Sequence, residues 1–302
     1  MKLTAMIEKL HQQNHKSVVA VAQAADREVL MAVKSAVEEQ VSTFILFGDI
    51  QLIQKYAAEI ELDLPSNDIQ LVHTDDGDEA ARLAVQKVHD QKAHVLMKGN
   101  LSTKQILKQV LHKEYGLRAN RVLSHVAVFE VPNQNRLILL TDAAMNIAPS
   151  LSEKAQIIQN AANVANRIDI DMPKVAALAA VEVVNPAMQS TMDAAALSQM
   201  QKRGQIQGCI VDGPLAFDNA VSEKAAKEKG IHSDVAGQAD ILMVPSIETG
   251  NALYKSFMYF ANAKVAAVIS GAAAPIVLTS RADSHESKLY SIVLSVLTAN
   301  TK

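Results

Sequence analysis

Eleven short runs rich in Val, Ile and Leu punctuate this chain, and longer stretches with helical spacing lie between many of them. Strands buried on both faces read as continuous apolar runs, while helices laid over a sheet carry an apolar stripe. A chain with this rhythm is expected to fold as α/β. The strand candidates are 17–22, 43–47, 69–73, 94–97, 122–129, 136–140, 174–179, 207–211, 240–244, 264–269 and 275–278. Amphipathic segments are read at 78–91, 152–167, 187–203 and 248–263. In the closing segment Leu289, Ile292, Val293, Val296 and Leu297 follow the spacing of one buried helical stripe.

At 302 residues the chain has room for about two domains. The polar run Val131-Pro132-Asn133-Gln134-Asn135 separates two strand candidates, as a hairpin loop or a domain crossing would. The expected division is 1–135 plus 280–302 for one α/β domain and 136–279 for the other.

Composition removes several functions. With 29 Lys+Arg against 32 Asp+Glu, the chain carries no global field for a polyanion or an anionic bilayer. Aromatic residues are 4% and tryptophan is absent, which leaves little from which to build base-stacking platforms, so no nucleic acid is expected. No apolar run is long enough to span a membrane. The lone Cys209 forms no internal disulfide and stands in an apolar run as an inert core residue; a reducing cytoplasm fits. No histidine or cysteine spacing implies a metal.

In open α/β sheets ligands bind beyond the carboxyl ends of strands, so the strand-to-helix turns are the places to search. In Lys98-Gly99-Asn100-Leu101-Ser102-Thr103-Lys104, Gly99 permits close backbone approach, Ser102 or Thr103 caps a helix, and Lys98, Lys104 or Lys108 adds charge for a phosphate. Thr141, Asp142 and Asn146 either orient a substrate or satisfy backbone N–H groups of their own turn. Asp212-Gly213-Pro214 reads as a tight turn, with Asp218 capping the helix that follows. Helical spacing puts Asn251 and Lys255 on one face, with Gly250 beside them; the pair suits a phosphorylated ligand or is simply solvated. Ser280 and Arg281 lie where a buried strand meets the closing helix. Arg281 has the planar fork that matches phosphate, and Ser280 has a hydroxyl for a developing oxyanion. Asp283 with Glu286 reads as a capping box, and His285 stands beside the Ser-Arg turn.

Five segments together resemble the phosphate acetyl/butyryl transferase family, in particular its phosphate butyryltransferase branch. They are Leu96-Met97-Lys98-Gly99-Asn100, Val181-Glu182-Val183-Val184-Asn185-Pro186-Ala187-Met188, Gly208-Cys209-Ile210-Val211-Asp212-Gly213-Pro214-Leu215, Ile247-Glu248-Thr249-Gly250-Asn251-Ala252-Leu253-Tyr254-Lys255 and Thr279-Ser280-Arg281-Ala282-Asp283-Ser284. The resemblance implies a two-domain fold like that of isocitrate and isopropylmalate dehydrogenases, with an interdomain cleft. It implies reversible transfer of a short acyl group, butyryl, branched or acetyl, between coenzyme A and inorganic phosphate. Acyl-CoA, phosphate and acyl phosphate would then be the reacting partners, coenzyme A a substrate rather than a bound cofactor, and a homodimer or higher homo-oligomer the assembly. The family's Ser-Arg pair matches Ser280 and Arg281; Asp283 is kept as a candidate catalytic neighbour. Acetyl-transferring members carry an aspartate seven positions after the serine, where this chain has Ser287, so the resemblance assigns no base here. Lys108 stands where those members carry a phosphate-binding arginine. Two other classes share the layout: a non-catalytic acyl-CoA-sensing module, and a metal- and NAD-dependent decarboxylating dehydrogenase. The Ser-Arg pair argues against the first, and the lack of an aspartate cluster argues against the second.

Overall fold

Each of the eleven apolar runs becomes a strand. A computed structural model describes residues 2–12, 16–119, 121–132, 134–280 and 283–299. The strands are β1 (Ser17–Ala22), β2 (Ser42–Gly48), β3 (Ile69–His73), β4 (Val95–Lys98), β5 (Ser124–Glu130), β6 (Ile138–Thr141), β7 (Lys174–Leu178), β8 (Ile210–Leu215), β9 (Ile241–Met243), β10 (Lys264–Ser270) and β11 (Ile276–Val277). The helices are α1 (Thr4–His11), α2 (Arg27–Glu38), α3 (Ile50–Glu59), α4 (Gly77–His89), α5 (Thr103–Val110), α6 (Leu151–Arg167), α7 (Gln189–Lys202), α8 (Phe217–Val221), α9 (Glu223–Glu228), α10 (Ile247–Tyr259) and α11 (His285–Thr298). Among the described residues no helix is long and apolar enough to cross a membrane.

The chain divides into two compact units: one, the outer in sequence, formed by Leu3–Arg121 with Ala266–Lys302, and one, the central in sequence, formed by Val122–Val265 with Met1–Lys2. In the outer unit the strand order is β3-β2-β1-β4-β11-β10. Its first five strands are parallel, with Val21 beside Leu46 and Met97, and Val277 beside Met97. Only β10 runs antiparallel, against β11. Val19, Ala20, Val21 and Ala22 of β1 are wholly buried, as a strand covered on both faces requires. Strand-to-helix turns begin with short polar caps: Asp26 accepts from Val29 N, Asp76 from Glu79 N, and Ser102 from Gln105 N.

In the central unit the order is β5-β6-β9-β7-β8. Antiparallel β5 and β6 face each other with Val128 opposite Leu139, so the break after Val131 joins hairpin strands; Asn133 within it lies outside the described residues. The remaining pairs are parallel. Asp212-Gly213-Pro214 continues β8 instead of turning, which corrects the sequence expectation. Because β8 lies at the edge of this order, a proline without an N–H costs no ladder bond on its open side. A Cβ on Gly213 would stand 2.6 Å from Ala177 O, so glycine is needed where β8 meets β7.

Two further local expectations change. The closing helix α11 is buried around most of its circumference, including Ser287, Lys288, Ser291 and Ser295, because α1, α2, β4 and β11 all pack on it. Its serines are small enough to sit against neighbours, and Ser291 Oγ donates to Ser287 O (2.7 Å) while accepting from Ala267 N (2.9 Å). Cys209 is fully buried but stands one residue before β8.

Candidate active site

Within the outer unit, parallel pairing of β4 with β11 brings two of the sequence-selected turns to one sheet edge. After β4, Gly99 N donates to Ala22 O (2.8 Å) and Asn100 N to Gln23 O (2.7 Å). A Cβ on Gly99 would stand 2.1 Å from Gln23 O, so the close approach this glycine permits is to the β1 backbone. Lys98 is 6% exposed and donates from Nζ to Gly99 O (3.2 Å) and Leu101 O (3.3 Å). Its ammonium thus sits beneath the turn and ties the turn's own carbonyls. Ser102 caps α5 in a reciprocal box with Gln105, whose amide also reaches Asp78 Oδ1 (2.9 Å). Thr103 opens the helix, and Asn100, Thr103, Lys104 and Lys108 are exposed.

The neighbouring turn after β11 carries Ser280, which is exposed; Arg281 and Ala282 lie outside the described residues. Asp283 Oδ2 accepts from Ser280 N (2.7 Å), closing the turn. Ser284, one residue later than expected, is the helix cap, accepting from Ser287 N. The Asp283–Glu286 box is therefore replaced by a Ser284 cap, which leaves Asp283 to hold the backbone of Ser280. Lys288 is 3% exposed and donates from Nζ to the carbonyls of Ser280 and Asp283. Ser287, seven positions after Ser280, is buried and meets Ser284 Oγ at 3.3 Å. His285 Nδ1 lies 3.8 Å from Glu28 Oε2.

In the central unit, parallel β6 and β9 bring two more of the selected turns together, with Thr141 paired to Met243. Thr141 is wholly buried and its hydroxyl donates to His125 O (2.8 Å). Asp142 is 2% exposed, and both its oxygens are occupied. Oδ1 accepts from Ala144 N and Met145 N (2.9 Å each), Oδ2 from His125 N (3.2 Å) and Asn146 Nδ2 (2.6 Å). The second hydrogen of Asn146 Nδ2 goes to Leu123 O (2.8 Å). Thr141 thus holds a carbonyl of β5, and Asp142 holds two N–H groups of its own turn. Gly250 packs α10 onto it: a Cβ there would stand 2.5 Å from Asp142 O and 2.9 Å from Ala143 Cα. Asn251, exposed, reaches Ala143 O from Nδ2 at 3.5 Å, and Lys255 is exposed one helical turn on. The Ser246 hydroxyl holds the nearby Glu248 carboxyl below its ordinary value. Tyr254 meets His125 and Phe129 edge-on, with ring centroids 5.9 and 5.2 Å apart.

Other charged contacts in the central unit escaped the sequence reading. Lys154 Nζ and Asp193 Oδ2 form a buried ion pair at 2.6 Å, and Gln189 Nε2 donates to the other Asp193 oxygen (2.8 Å). Glu182, within one of the family-like segments, accepts from Lys229 Nζ (3.1 Å) and Asn219 Nδ2 (3.3 Å). The lysine pulls its carboxyl below the ordinary value. These partners stand about forty positions apart, and nothing local marks them. Asp218 does not cap: Ala216 precedes α8, and Asp218 Oδ1 accepts from Asn219 N. Among the described residues no group of three or more His, Cys, Asp or Glu could hold a metal ion.

Residues 77–296 match the family model described as "Phosphate acetyl/butaryl transferase". The chain is 56% identical over 296 residues to a "Probable phosphate butyryltransferase" of Bacillus subtilis (strain 168), a match covering 98% of this chain and 97% of that one. Its structure is similar to that of a branched-chain phosphotransacylase from Enterococcus faecalis V583, with a TM-score of 0.81, 36% identity, and 95% and 100% of the two chains covered. A more distant likeness, of fold alone, is to 4-hydroxythreonine-4-phosphate dehydrogenase from Klebsiella pneumoniae, with a TM-score of 0.55 and 11% identity over 95% and 100% of the chains. With a family match across more than two thirds of its length and a relative at over half identity, this chain belongs to the phosphate acetyl/butyryl transferase family.

Proposed function

We propose that this protein transfers a butyryl or branched short acyl group reversibly between coenzyme A and inorganic phosphate. The observation that carries the reading is the 56% identity to the Bacillus protein across essentially both chains, supported by the structural likeness to the branched-chain enzyme. Starting from acyl phosphate, the coenzyme A sulfur attacks the acyl carbon as the thiolate, its proton passing to the departing phosphate, and forms the C–S bond. The C–O bond to phosphate then breaks, and phosphate leaves with that electron pair. Ser280 donates its hydroxyl to the oxyanion, a preorganised contact worth about 3 kcal/mol. Arg281 and Lys108 hold the phosphate oxygens, with Lys98 adding charge from beneath its turn. Asp283 and Lys288 act through Ser280 by fixing the backbone that carries it. Asn251 and Lys255 extend the substrate surface along α10.

The protein is placed in the cytoplasm, where Cys209 stays reduced, and in a homodimer. The rings of Tyr259 (76% exposed) and Phe260 (88% exposed) at the end of α10 support an apolar contact with a second copy. The deciding experiment follows free thiol from butyryl-CoA with and without phosphate, then repeats it with acetyl- and isobutyryl-CoA. Thiol release that needs phosphate and favours the four-carbon groups is expected. Release without phosphate identifies a hydrolase and refutes the reading.

A further inference from the structure

The side-chain amide of Asn146 can face in only one direction. Its nitrogen lies 2.8 Å from Leu123 O and 2.6 Å from Asp142 Oδ2. Exchanging oxygen and nitrogen would put two acceptors against each of those contacts, so the hydrogen-bond network assigns the amide. An amide nitrogen carries two hydrogens, and both are spent. What remains is Oδ1, which accepts no hydrogen bond among the described residues. Asn146 is half-buried, at the carboxyl end of β6, where a parallel sheet presents its ligand-binding turns.

The electrostatics of the turn point the same way. The four donors that surround the Asp142 carboxylate are neutral N–H groups. Its charge is solvated by the turn but not cancelled by a cation among them. A phosphate brought to Asn146 would meet an acceptor oxygen with a buried negative charge behind it. A neutral group with an N–H would meet a complementary one.

We infer that Asn146 accepts a hydrogen bond from an amide N–H of the pantetheine arm of coenzyme A, and that this turn takes the neutral arm of the substrate instead of a phosphate. This rests on the acyl-transfer reading above and goes beyond it by assigning a chemical group to the turn. The adenine amine is the other N–H donor on the same substrate, and the test separates the two sources.

The test uses the whole protein. Wild type is compared on S-butyryl pantetheine, which lacks the nucleotide, and on two short thioesters that differ by one atom: S-butyryl-N-acetylcysteamine and its acetate-ester counterpart, in which oxygen replaces N–H. Asn146→Ala is expected to raise KM about tenfold for both butyryl-CoA and butyryl pantetheine, leaving KM for phosphate unchanged. Wild type is expected to prefer the amide thioester to its ester counterpart by about tenfold, and the variant to lose that preference. A penalty confined to butyryl-CoA assigns the contact to the nucleotide and overturns the proposal. So does a rise in KM for phosphate, or equal use of amide and ester by wild type; that last comparison needs no variant and holds even if Asn146→Ala fails to fold. Calorimetric binding of pantetheine to wild type and to Asn146→Ala reads the contact without turnover. If butyryl-CoA releases no thiol with phosphate, the activity reading fails. The Asn146 contact then still stands if the variant binds pantetheine about tenfold more weakly, and falls if it binds equally.

Discussion

Asn146 Nδ2 and Asp142 Oδ2 lie 2.6 Å apart, and that bond is one of four N–H contacts that enclose a carboxylate only 2% exposed. Removing the carboxylate strands three backbone N–H groups and half of an amide in a place water barely reaches. Asp142→Ala is expected to lower unfolding free energy by about 3 kcal/mol, read from urea denaturation. Loss of less than about 0.5 kcal/mol would mean that the turn reorganises without it.

Gly99 and Gly250 are held by backbone contact. Alanine at 99 would place a carbon 2.1 Å from Gln23 O, and at 250 one 2.5 Å from Asp142 O, and neither neighbour is a flexible side-chain tip. Each Gly→Ala variant is expected to lose about 2 kcal/mol and several degrees in Tm. An unchanged melting curve in either would show that the strand ends separate easily.

The Lys154–Asp193 pair is buried at both ends. Asp193→Ala leaves an ammonium without its partner and is expected to cost about 4 kcal/mol. The double change Lys154→Met with Asp193→Leu removes both charges and is expected to cost much less. A double-mutant cycle in chemical denaturation measures the difference; equal losses in single and double variants would place the cost in packing.

Burial pushes the Cys209 thiol from its ordinary 9.0 up to about 11. Because the folded value is the higher one, the thiol's contribution to stability is complete below about pH 9 and is lost as pH rises toward 11. Native protein at pH 8 is expected to resist a disulfide reagent that labels it within minutes in urea. Rapid native labelling would show that the segment before β8 opens.

Lys288 reaches the carbonyls of Ser280 and Asp283 from inside α11. Lys288→Met keeps the stem and removes the donor. It is expected to reduce kcat at least tenfold with KM for phosphate little changed, since the group acts through the backbone of Ser280. A loss confined to KM would assign it to phosphate binding.

Strand identity was legible in the chain because a doubly covered strand must be apolar along its length, a local property: 17–22 and 69–73 coincide with β1 and β3. Caps were legible for a related reason. Ser102 lies within a few residues of the N–H it satisfies, although the choice of Ser284 over Asp283 depended on where α11 begins. The strand-to-helix turns were legible because polar residues directly after an apolar run are conspicuous.

What each polar residue does within those turns was not legible. The sequence reads Lys98 as charge for a phosphate, and only the fold draws its ammonium under Gly99 and Leu101; it reads Asp142 as a substrate contact or a backbone partner, and only the fold closes four N–H groups around it. Lys154 and Asp193 met only when α6 and α7 packed. The sequence alone determined which segments are buried and of what type, because hydrophobic periodicity and capping act over a few residues. Tertiary structure alone decided which hydrogen-bonding capacity is consumed inside the fold, because donors and acceptors find their partners by proximity in space.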